Sequence, residues 1–330
     1  MTSILRKTML LAATAMTLTA GVASAETLVI ATFGDPTPMN AARANHEFEK
    51  ATGWTVEWRK FASGTDVIAA MASGDVKVGE LGSSPLAIAA SQGVELKMFM
   101  FSYVIGDSES LIARDGSGIE KIEDLKGKRV AVPVGSTAHF SLMGVINHAG
   151  MDPSDVTIMS MPPDQIAAAW EQGTIDAAFI WPPVQSEILK TGKRIVSAKQ
   201  AGEWGYPTFN GWVASDDFIA GHEKELVAFA KAMDAANLAY VNDPAAWTPD
   251  STPVKEIAEM TGASPDQIPV TLEGYTFIPL KDQVSDKWLG GAAASIKATA
   301  EFLKSAGRID NVADDYSGFV DTEIAKEALE

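Results

Sequence analysis

Two stretches of the sequence place hydroxyl side chains directly after a glycine at the end of a predicted strand. They are Gly82-Ser83-Ser84, followed by Pro85, and Gly135-Ser136-Thr137. Pro85, preceded by serine, marks a helix start, and the first turn of a helix leaves backbone N–H groups free at the positive end of its dipole. Such a turn can bind an anion. We predict that the two stretches face each other across a cleft and hold one small anion; the alternative is that the serines only cap their helices.

Aromatic and carboxyl side chains at other strand ends are candidates for the rest of a binding pocket. In open α/β sheets, ligands bind beyond the carboxyl ends of the strands, in apolar pockets with a few polar groups. The aromatic residues at or near strand ends are Phe33, Phe61, Trp181 and Trp212, of which Trp181 is the best candidate, and the carboxylates that suit a cationic end of a ligand are Asp35, Glu80, Glu109 and Asp176. For each of them the alternative is a structural role in the core or at the surface.

The sequence carries none of the motifs that mark common catalytic sites. It has no Gly-x-Ser-x-Gly elbow, P-loop, dinucleotide-binding glycine fingerprint or His-Glu-x-x-His pair. It has no cysteine, which excludes thiolate chemistry, and none of its four histidines is spaced to share a metal ion with another. His139 follows Ser136 by one helical turn, but no acid partner for a Ser–His pair can be placed. We predict no catalytic residue, metal or cofactor.

Length, charge and the N-terminus limit the class of protein. The 330 residues suit two lobes better than one core. The formal net charge of −17 argues against a nucleic-acid partner, because no basic stripe is available for its phosphates. Arg6 and Lys7 precede an apolar run, and Ala23-Ser24-Ala25 has the pattern of a cleavage site. Residues 1–25 are therefore predicted to be a secretory signal peptide, and the mature protein a soluble resident of the periplasm.

Short β-branched runs alternate with helical runs along the mature chain, which predicts βαβ units and a mostly parallel sheet. We expect residues 37–51 to form one helix, the later helices to pack against a sheet, and residues 313–330 to lie on the surface. Segments 68–76 and 166–175 each combine an apolar helix end, a glycine stop and a strand, which suggests two lobes of like topology. No linker marks a boundary, as expected for a chain that crosses twice between lobes.

Five stretches together support a family assignment: Phe61 to Gly64, Leu81 to Gln92, Gly127 to Pro133, Ile166 to Trp170 and Glu203 to Thr208. They resemble the periplasmic taurine-binding proteins of bacterial ABC importers, within the nitrate/sulfonate/taurine-binding family. The resemblance covers essentially the whole mature chain. It implies a two-lobed α/β fold of the type II-like periplasmic binding proteins, in which each lobe is a mixed sheet flanked by helices and the ligand occupies the cleft between them.

The resemblance also implies how the chain is divided into lobes and which ligand and proteins it binds. Lobe 1 is expected to comprise residues 26–110 and 212–330, and lobe 2 residues 111–211. The protein would be a monomer that binds a small sulfonate and delivers it to an ABC permease with an ATPase subunit. Its contact with the membrane would be through that permease alone.

The candidate ligand-binding residues follow from the same resemblance. The sulfonate is expected to be held by four hydroxyl residues, Ser83, Ser84, Ser136 and Thr137. Phe33 and Trp181 would line the alkyl part of the ligand, and His139, beside the second hydroxyl pair, is a further candidate. The hydroxyl assignment agrees with the helix-start argument, which was made without it.

One position departs from the family. Where its taurine binders carry an Asp that suits the ligand's ammonium, this chain has Asn210. Loss of a charge-assisted hydrogen bond costs about 1–3 kcal/mol, or roughly ten- to a hundredfold in affinity. Asp35 or Glu109 is a candidate for the missing charge; alternatively the ligand lacks an amine, as isethionate does. The remaining alternatives are another small anion such as nitrate and, in a different class, a secreted enzyme on the same fold.

Overall fold

The computed structural model describes residues 27–330, and the predicted signal peptide lies outside them. Within these residues the chain forms two β-sheets flanked by helices. The strands are β1 Thr27–Thr32, β2 Thr55–Lys60, β3 Val78–Gly82, β4 Leu96–Ile105, β5 Ser110–Arg114, β6 Arg129–Val132, β7 Thr157–Ser160, β8 Ala177–Ile180, β9 Gly192–Ser197, β10 Phe209–Ser215 and β11 Tyr275–Thr276.

Fourteen α-helices are found in the same part of the chain. They are α1 Pro38–Ala44, α2 Glu47–Thr52, α3 Gly64–Ala72, α4 Ser83–Ser91, α5 Thr137–His148, α6 Pro163–Glu171, α7 Val184–Ile188, α8 Ala198–Glu203, α9 Asp216–Val241, α10 Thr252–Thr261, α11 Ile268–Glu273, α12 Leu280–Gln283, α13 Leu289–Ser305 and α14 Glu323–Glu327. None of the helices in residues 27–330 is both long and apolar enough to cross a membrane.

The two sheets are built on the same plan. In lobe 1 the strand order is β11-β4-β10-β3-β1-β2, and in lobe 2 it is β7-β6-β8-β5-β9. Strand β1 runs parallel to β2 and β3, as β6 does to β7 and β8. Strand β10 is antiparallel to β3 and β4, as β5 is to β8 and β9. The two similar sequence segments are the equivalent units α3-β3 and α6-β8, so the prediction of two lobes of like topology is confirmed.

The chain passes between the lobes twice. Strand β4 ends in lobe 1 at Ile105 and β5 begins in lobe 2 at Ser110; the return runs from Glu203 to Phe209. The two crossings lie side by side, because the N–H of Ile105 donates to the carbonyl of Thr208 at 3.0 Å. The predicted lobe boundaries stay a prediction at the level of single residues.

Buried apolar side chains connect the helices to both sheets. In lobe 1, Phe229 of α9 and Ile296 of α13 are fully buried in the cluster that contains the sheet, as predicted for the later helices. A second cluster runs through the crossing and joins Tyr103 of β4 to Leu111 of β5. A third lies in lobe 2 around Trp170 of α6. The lobes therefore share an apolar core where the chain crosses.

Two helix predictions are wrong in detail. The helix expected over residues 37–51 is interrupted between α1 and α2, where His46 has a left-handed φ of 54°. The side chain of Asn45 donates to the carbonyl of Ala41, a local bond that competes with helix continuation. Helix α4 begins at Ser83 after Gly82 rather than at Pro85. Proline fits in the first turn because the N–H groups there have no partner inside the helix.

The C-terminal segment is not the surface segment that was expected. Tyr316 is 1% exposed and Ile324 is fully buried. The hydroxyl of Tyr316 lies 3.0 Å from Oγ of Ser91, and the N–H of Asp321 donates to the carbonyl of Met98 at 2.8 Å. Residues 313–330 therefore dock against α4 and β4 and complete the core of lobe 1.

Candidate ligand-binding site

A cavity of about 40 Å³ lies between the lobes, at the carboxyl ends of β1, β3, β6 and β8. Its volume leaves room for roughly three water-sized groups, which suits a small ligand. Both lobes supply its wall, which consists of Phe33, Asp35, Ser63, Gly64, Gly82, Pro85, Tyr103, Ile105, Ser108, Glu109, Ser136, Thr137, Trp181, Asn210 and Tyr275.

The structure brings six of the nine predicted ligand-binding residues to this wall: Phe33, Asp35, Ser136, Thr137, Trp181 and Asn210. The other three, Ser83, Ser84 and His139, are buried directly behind it. The assignment of all nine to the ligand stays a prediction. Tyr103 and Tyr275 are wall residues that the sequence analysis missed.

The two glycine–hydroxyl stretches face each other across the cavity, as predicted. A Cβ atom placed on Gly82 would lie 2.8 Å from Cγ2 of Thr137 and 3.2 Å from Oδ1 of Asn210. There is therefore no room for a side chain at position 82. Gly135 has a φ of 91°, a conformation that favours glycine. Glycine is therefore required in both stretches, for close approach in one and for backbone conformation in the other.

We call the first turns of α4 and α5, with their residues Ser83, Ser84, Ser136 and Thr137, the hydroxyl turns. Ser83 and Ser84 are 1% and 0% exposed, and their hydroxyl groups have no hydrogen-bond partner within the described chain. Neither serine caps α4. Because a buried hydroxyl without a partner is costly, both remain available to an anion at the start of this helix.

The second hydroxyl turn is already engaged by the protein. Oγ of Ser136 accepts the backbone N–H of His139 at 3.2 Å, so the capping alternative holds for this serine. The hydroxyl of Thr137 donates to Oε1 of Glu109 at 2.6 Å. Burial and the positive charge of Arg308 lower the pKa of His139 to about 4, so its ring is neutral at pH 7. Ser136 thus meets the backbone of His139 and not its imidazole.

A chain of hydrogen bonds joins the polar residues at the other side of the cavity. The hydroxyl of Tyr103 donates to Oδ2 of Asp35 at 2.6 Å. Nδ2 of Asn210 donates to the hydroxyl oxygen of Tyr103 at 2.6 Å and to Oε1 of Glu80, behind the wall, at 3.4 Å. Both amide hydrogens of Asn210 are therefore used by the protein. With Glu109, these residues form what we call the carboxyl cluster.

Burial raises the pKa of each carboxyl group in the cluster. Desolvation and repulsion by Asp35 raise the pKa of Glu80 to about 8, and desolvation raises that of Glu109 to about 8 as well. Desolvation also raises the pKa of Asp35, although the hydrogen bond from Tyr103 and the charge of Lys60 oppose this shift. No lysine, arginine or histidine lines the cavity within residues 27–330. The carboxyl groups therefore have no cationic partner on the wall, and a cationic group of a ligand would favour their ionised forms.

Nothing in the described part of the chain gathers three or more His, Cys, Asp or Glu side chains in a way that could hold a metal ion. The cavity therefore offers helix N-termini and hydroxyls to an anion, and carboxyls to a cation, within one small volume.

The family model described as "NMT1/THI5 like" matches residues 37–247, more than half of the chain. The chain belongs to the NMT1/THI5-like family. It is 40% identical over 283 residues to the taurine-binding periplasmic protein of Escherichia coli K12, which covers 86% of this chain and 88% of that protein. It is 29% identical over 203 residues, 60% of each protein, to a putative aliphatic sulfonates-binding protein of Bacillus subtilis 168. The resemblance seen in the sequence is confirmed.

Solved structures confirm the two-lobed fold of this family member. The aliphatic sulphonate binding protein SsuA of Escherichia coli superposes with a TM-score of 0.74 at 19% identity, over 90% of this chain and 92% of that one. The desulfurization enzyme DSZB superposes with a TM-score of 0.65 at 14% identity, over 92% of this chain and 99% of that one. The fold therefore occurs in binding proteins and in an enzyme.

Proposed function

We propose that this protein is the periplasmic substrate-binding component of an ABC importer and that it binds taurine or a closely related small alkanesulfonate. One observation carries the proposal: a single cavity opposes two hydroxyl turns to a cluster of carboxyl groups with no cationic side chain on the wall. An aminosulfonate has both matching charges. The 40% identity to a taurine-binding periplasmic protein supports the same ligand class.

Residues 1–25 direct the protein to the periplasm, where it acts as a monomer. The lobes close around the ligand by rotation about the two crossings, and the closed form delivers it to a permease with an ATPase subunit. The side-by-side crossings at Ile105 and Thr208 support a hinge at this position.

Binding rather than catalysis is supported by the contacts of the one Ser–His neighbourhood in the cavity. A nucleophilic serine needs a base within hydrogen-bond reach of its hydroxyl. Here the hydroxyl of Ser136 accepts a backbone N–H and the imidazole of His139 lies behind the wall. The wall combines apolar and polar groups that suit a ligand, and Ser136 has no side-chain base to activate its hydroxyl.

Isothermal titration of the mature protein tests the proposal. We expect taurine to bind tightly, isethionate more weakly because it lacks the ammonium, and nitrate not at all. Absence of heat with taurine and with every alkanesulfonate tried would contradict the proposal. Tighter binding of isethionate than of taurine would instead favour the amine-free alternative, which the replacement of Asp by Asn210 also allows.

A further inference from the structure

We propose that Glu109 is the residue that recognises the ligand's ammonium group, and that its bond to Thr137 makes the site selective for a two-carbon aminosulfonate. The inference rests on the proposed function and names a specificity-determining residue for it. Glu109 lies on the cavity wall, is 4% exposed and precedes β5 in the first crossing.

The hydrogen bonds of Glu109 leave one carboxyl oxygen unused. Oε1 accepts the hydroxyl of Thr137 at 2.6 Å, which fixes the orientation of the carboxyl group. Oε2 is buried and has no hydrogen-bond partner in residues 27–330. The carbonyl of Glu109 accepts the N–H of Ala198 at 2.9 Å, which holds its backbone beside the start of α8. The carboxyl group of this wall residue thus has one oxygen bonded to Thr137 and one oxygen without a partner.

The other polar groups of the carboxyl cluster bond to one another and not to the start of α5. Oδ2 of Asp35 accepts the hydroxyl of Tyr103, and both amide hydrogens of Asn210 are donated, to Tyr103 and to Glu80. Glu80 does not reach the wall. Asp35 also keeps one carboxyl oxygen without a hydrogen bond in residues 27–330, but Glu109 is the member of the cluster that is bonded to the first turn of α5, beside the proposed anion site.

The distance between the two ends of the ligand follows from the contact between Glu109 and Thr137. Thr137 is the first residue of α5, whose N-terminus faces the anion, and its hydroxyl directly contacts the carboxyl group that accepts the cation. The anionic and cationic groups of the ligand must therefore be close together. Two methylene groups between sulfonate and ammonium satisfy this condition, and a third pushes the ammonium past Oε2.

The charge state of Glu109 is consistent with this role. Burial keeps its carboxyl group largely protonated in the empty cavity, because its pKa is raised to about 8. Its titratable neighbours are Asp35, Tyr103 and Tyr275 on the wall and Glu80 behind it; of these, Asp35 disfavours a negative charge on Glu109, whereas the hydrogen bond from Thr137 favours it. An arriving ammonium compensates for the burial of that charge, and Glu109 then releases its proton to the solvent.

Glu109→Gln tests the inference, since the amide keeps an oxygen for Thr137 and replaces the free oxygen by a donor. We expect taurine to bind about ten- to a hundredfold more weakly and isethionate within about threefold of wild type, as measured by titration calorimetry. Wild type should prefer taurine over its three-carbon homologue, and Glu109→Gln should lose that preference. The control is Asp234→Asn, a half-buried carboxyl of α9 that lines no part of the cavity and keeps an oxygen for the N–H of Leu280, which should keep the taurine-to-isethionate ratio.

The outcomes separate this inference from the proposed function. If wild type binds taurine and Glu109→Gln weakens taurine and isethionate equally, Glu109 supports the structure of the site and does not recognise the ammonium. If the variant binds both ligands like wild type, a protonated Glu109 donates to the sulfonate, as an amide also can, and the inference is wrong. If wild type binds no sulfonate, the proposed function itself has failed.

Discussion

Strands β1 and β6 occupy the same place in their sheets, but their carboxyl ends carry opposite chemistry. Strand β1 leads to Asp35, whose carboxyl group belongs to the carboxyl cluster, and β6 leads to the hydroxyl turn at Ser136. In the next pair of equivalent strands the hydroxyl turn, at Ser83, follows β3 of lobe 1, and β8 of lobe 2 leads to the aromatic Trp181. Two lobes of like topology therefore present unlike groups to one cavity.

This comparison shows how a repeated scaffold can hold an asymmetric ligand. The strand order brings the carboxyl ends of four strands to one cavity, and the residues after each strand determine what that strand end binds. The hydroxyl turns offer neutral donors and helix dipoles, which do not titrate, whereas the carboxyl cluster carries groups that do. The hydroxyl turns and the carboxyl cluster should therefore respond differently to pH and to substitution.

The largest expected difference is in the response to pH. Glu80 and Glu109 have a pKa of about 8 in the folded protein against an ordinary value of 4.5, so the folded state holds protons that the unfolded state loses. Their contribution to stability is complete below about pH 4.5 and is lost as pH rises toward 8, at up to about 1.4 kcal/mol per group and pH unit. We expect the free energy of unfolding of the ligand-free protein, from urea titrations, to fall by about 2–4 kcal/mol between pH 6.5 and 8.

The stability measurement starts at pH 6.5 because His139 changes the free energy of unfolding in the opposite direction at lower pH. Its pKa is lowered to about 4, so its contribution to stability is lost as pH falls from 6.5. Glu80→Gln should reduce the decline between pH 6.5 and 8. A stability that stays constant or rises in this window would show that the carboxyl cluster is ionised in the empty cavity.

A smaller effect is expected from filling the gap between the hydroxyl turns. Gly82→Val places a side chain against Cγ2 of Thr137, where even a Cβ atom would lie at 2.8 Å. Overpacking costs about 1–3 kcal/mol, which corresponds to a loss of about ten- to a hundredfold in taurine affinity. The ligand-free protein should lose less stability, because separation of the lobes relieves the clash and a φ of −71° suits any residue.

Gly221→Ala is the matched control for this variant, since a Cβ atom there meets no other atom of the described chain within 4 Å. Its taurine affinity should equal that of wild type. Unchanged affinity in Gly82→Val would mean that the hydroxyl turns need not approach each other for the ligand to bind.

The smallest effect is expected from the bond that holds the carboxyl cluster together. Tyr103→Phe removes the donor to Asp35 and the acceptor of Asn210, and we expect a loss of about 1–2 kcal/mol in the free energy of unfolding at pH 7. The loss should shrink as the pH is lowered and Asp35 takes up a proton, because a neutral carboxyl group gains less from the donor than a carboxylate does. Tyr316→Phe removes a buried hydroxyl with the neutral partner Ser91, so its cost should not depend on pH. Equal pH dependence in both variants would contradict the charge-based explanation.

Features coded by short stretches of sequence could be predicted. The two-lobe plan was visible because α3-β3 and α6-β8 repeat a helix, a glycine stop and a strand. The hydroxyl turns could be recognised because glycine, serine and a following helix are adjacent in sequence. Even there the start of α4 was displaced, since proline is tolerated at several positions of a first turn.

Features that depend on distant residues could not be predicted. The bond between Thr137 and Glu109 exists because the first crossing brings residue 109 to the start of α5. Strand β9 has no clear alternating pattern, because it is an edge strand that contains Lys193 and Arg194. No local pattern directs Tyr103, near the end of β4, to the cavity, and none indicates the docking of Tyr316 against Ser91.

The position of β10 has a consequence for the order in which the chain folds. All five strands of lobe 2 lie within residues 110–197, whereas β10 lies between β3 and β4 of lobe 1, more than a hundred residues later in sequence. Contacts of such high sequence separation form slowly, so lobe 2 can complete its sheet while lobe 1 still waits for its central strand. Insertion of β10 is also the step that brings Asn210 beside Tyr103 and Glu80. A central strand that comes late in the sequence thus completes the polar network of the cavity, and the short edge strand β11 adds Tyr275 to the wall later still.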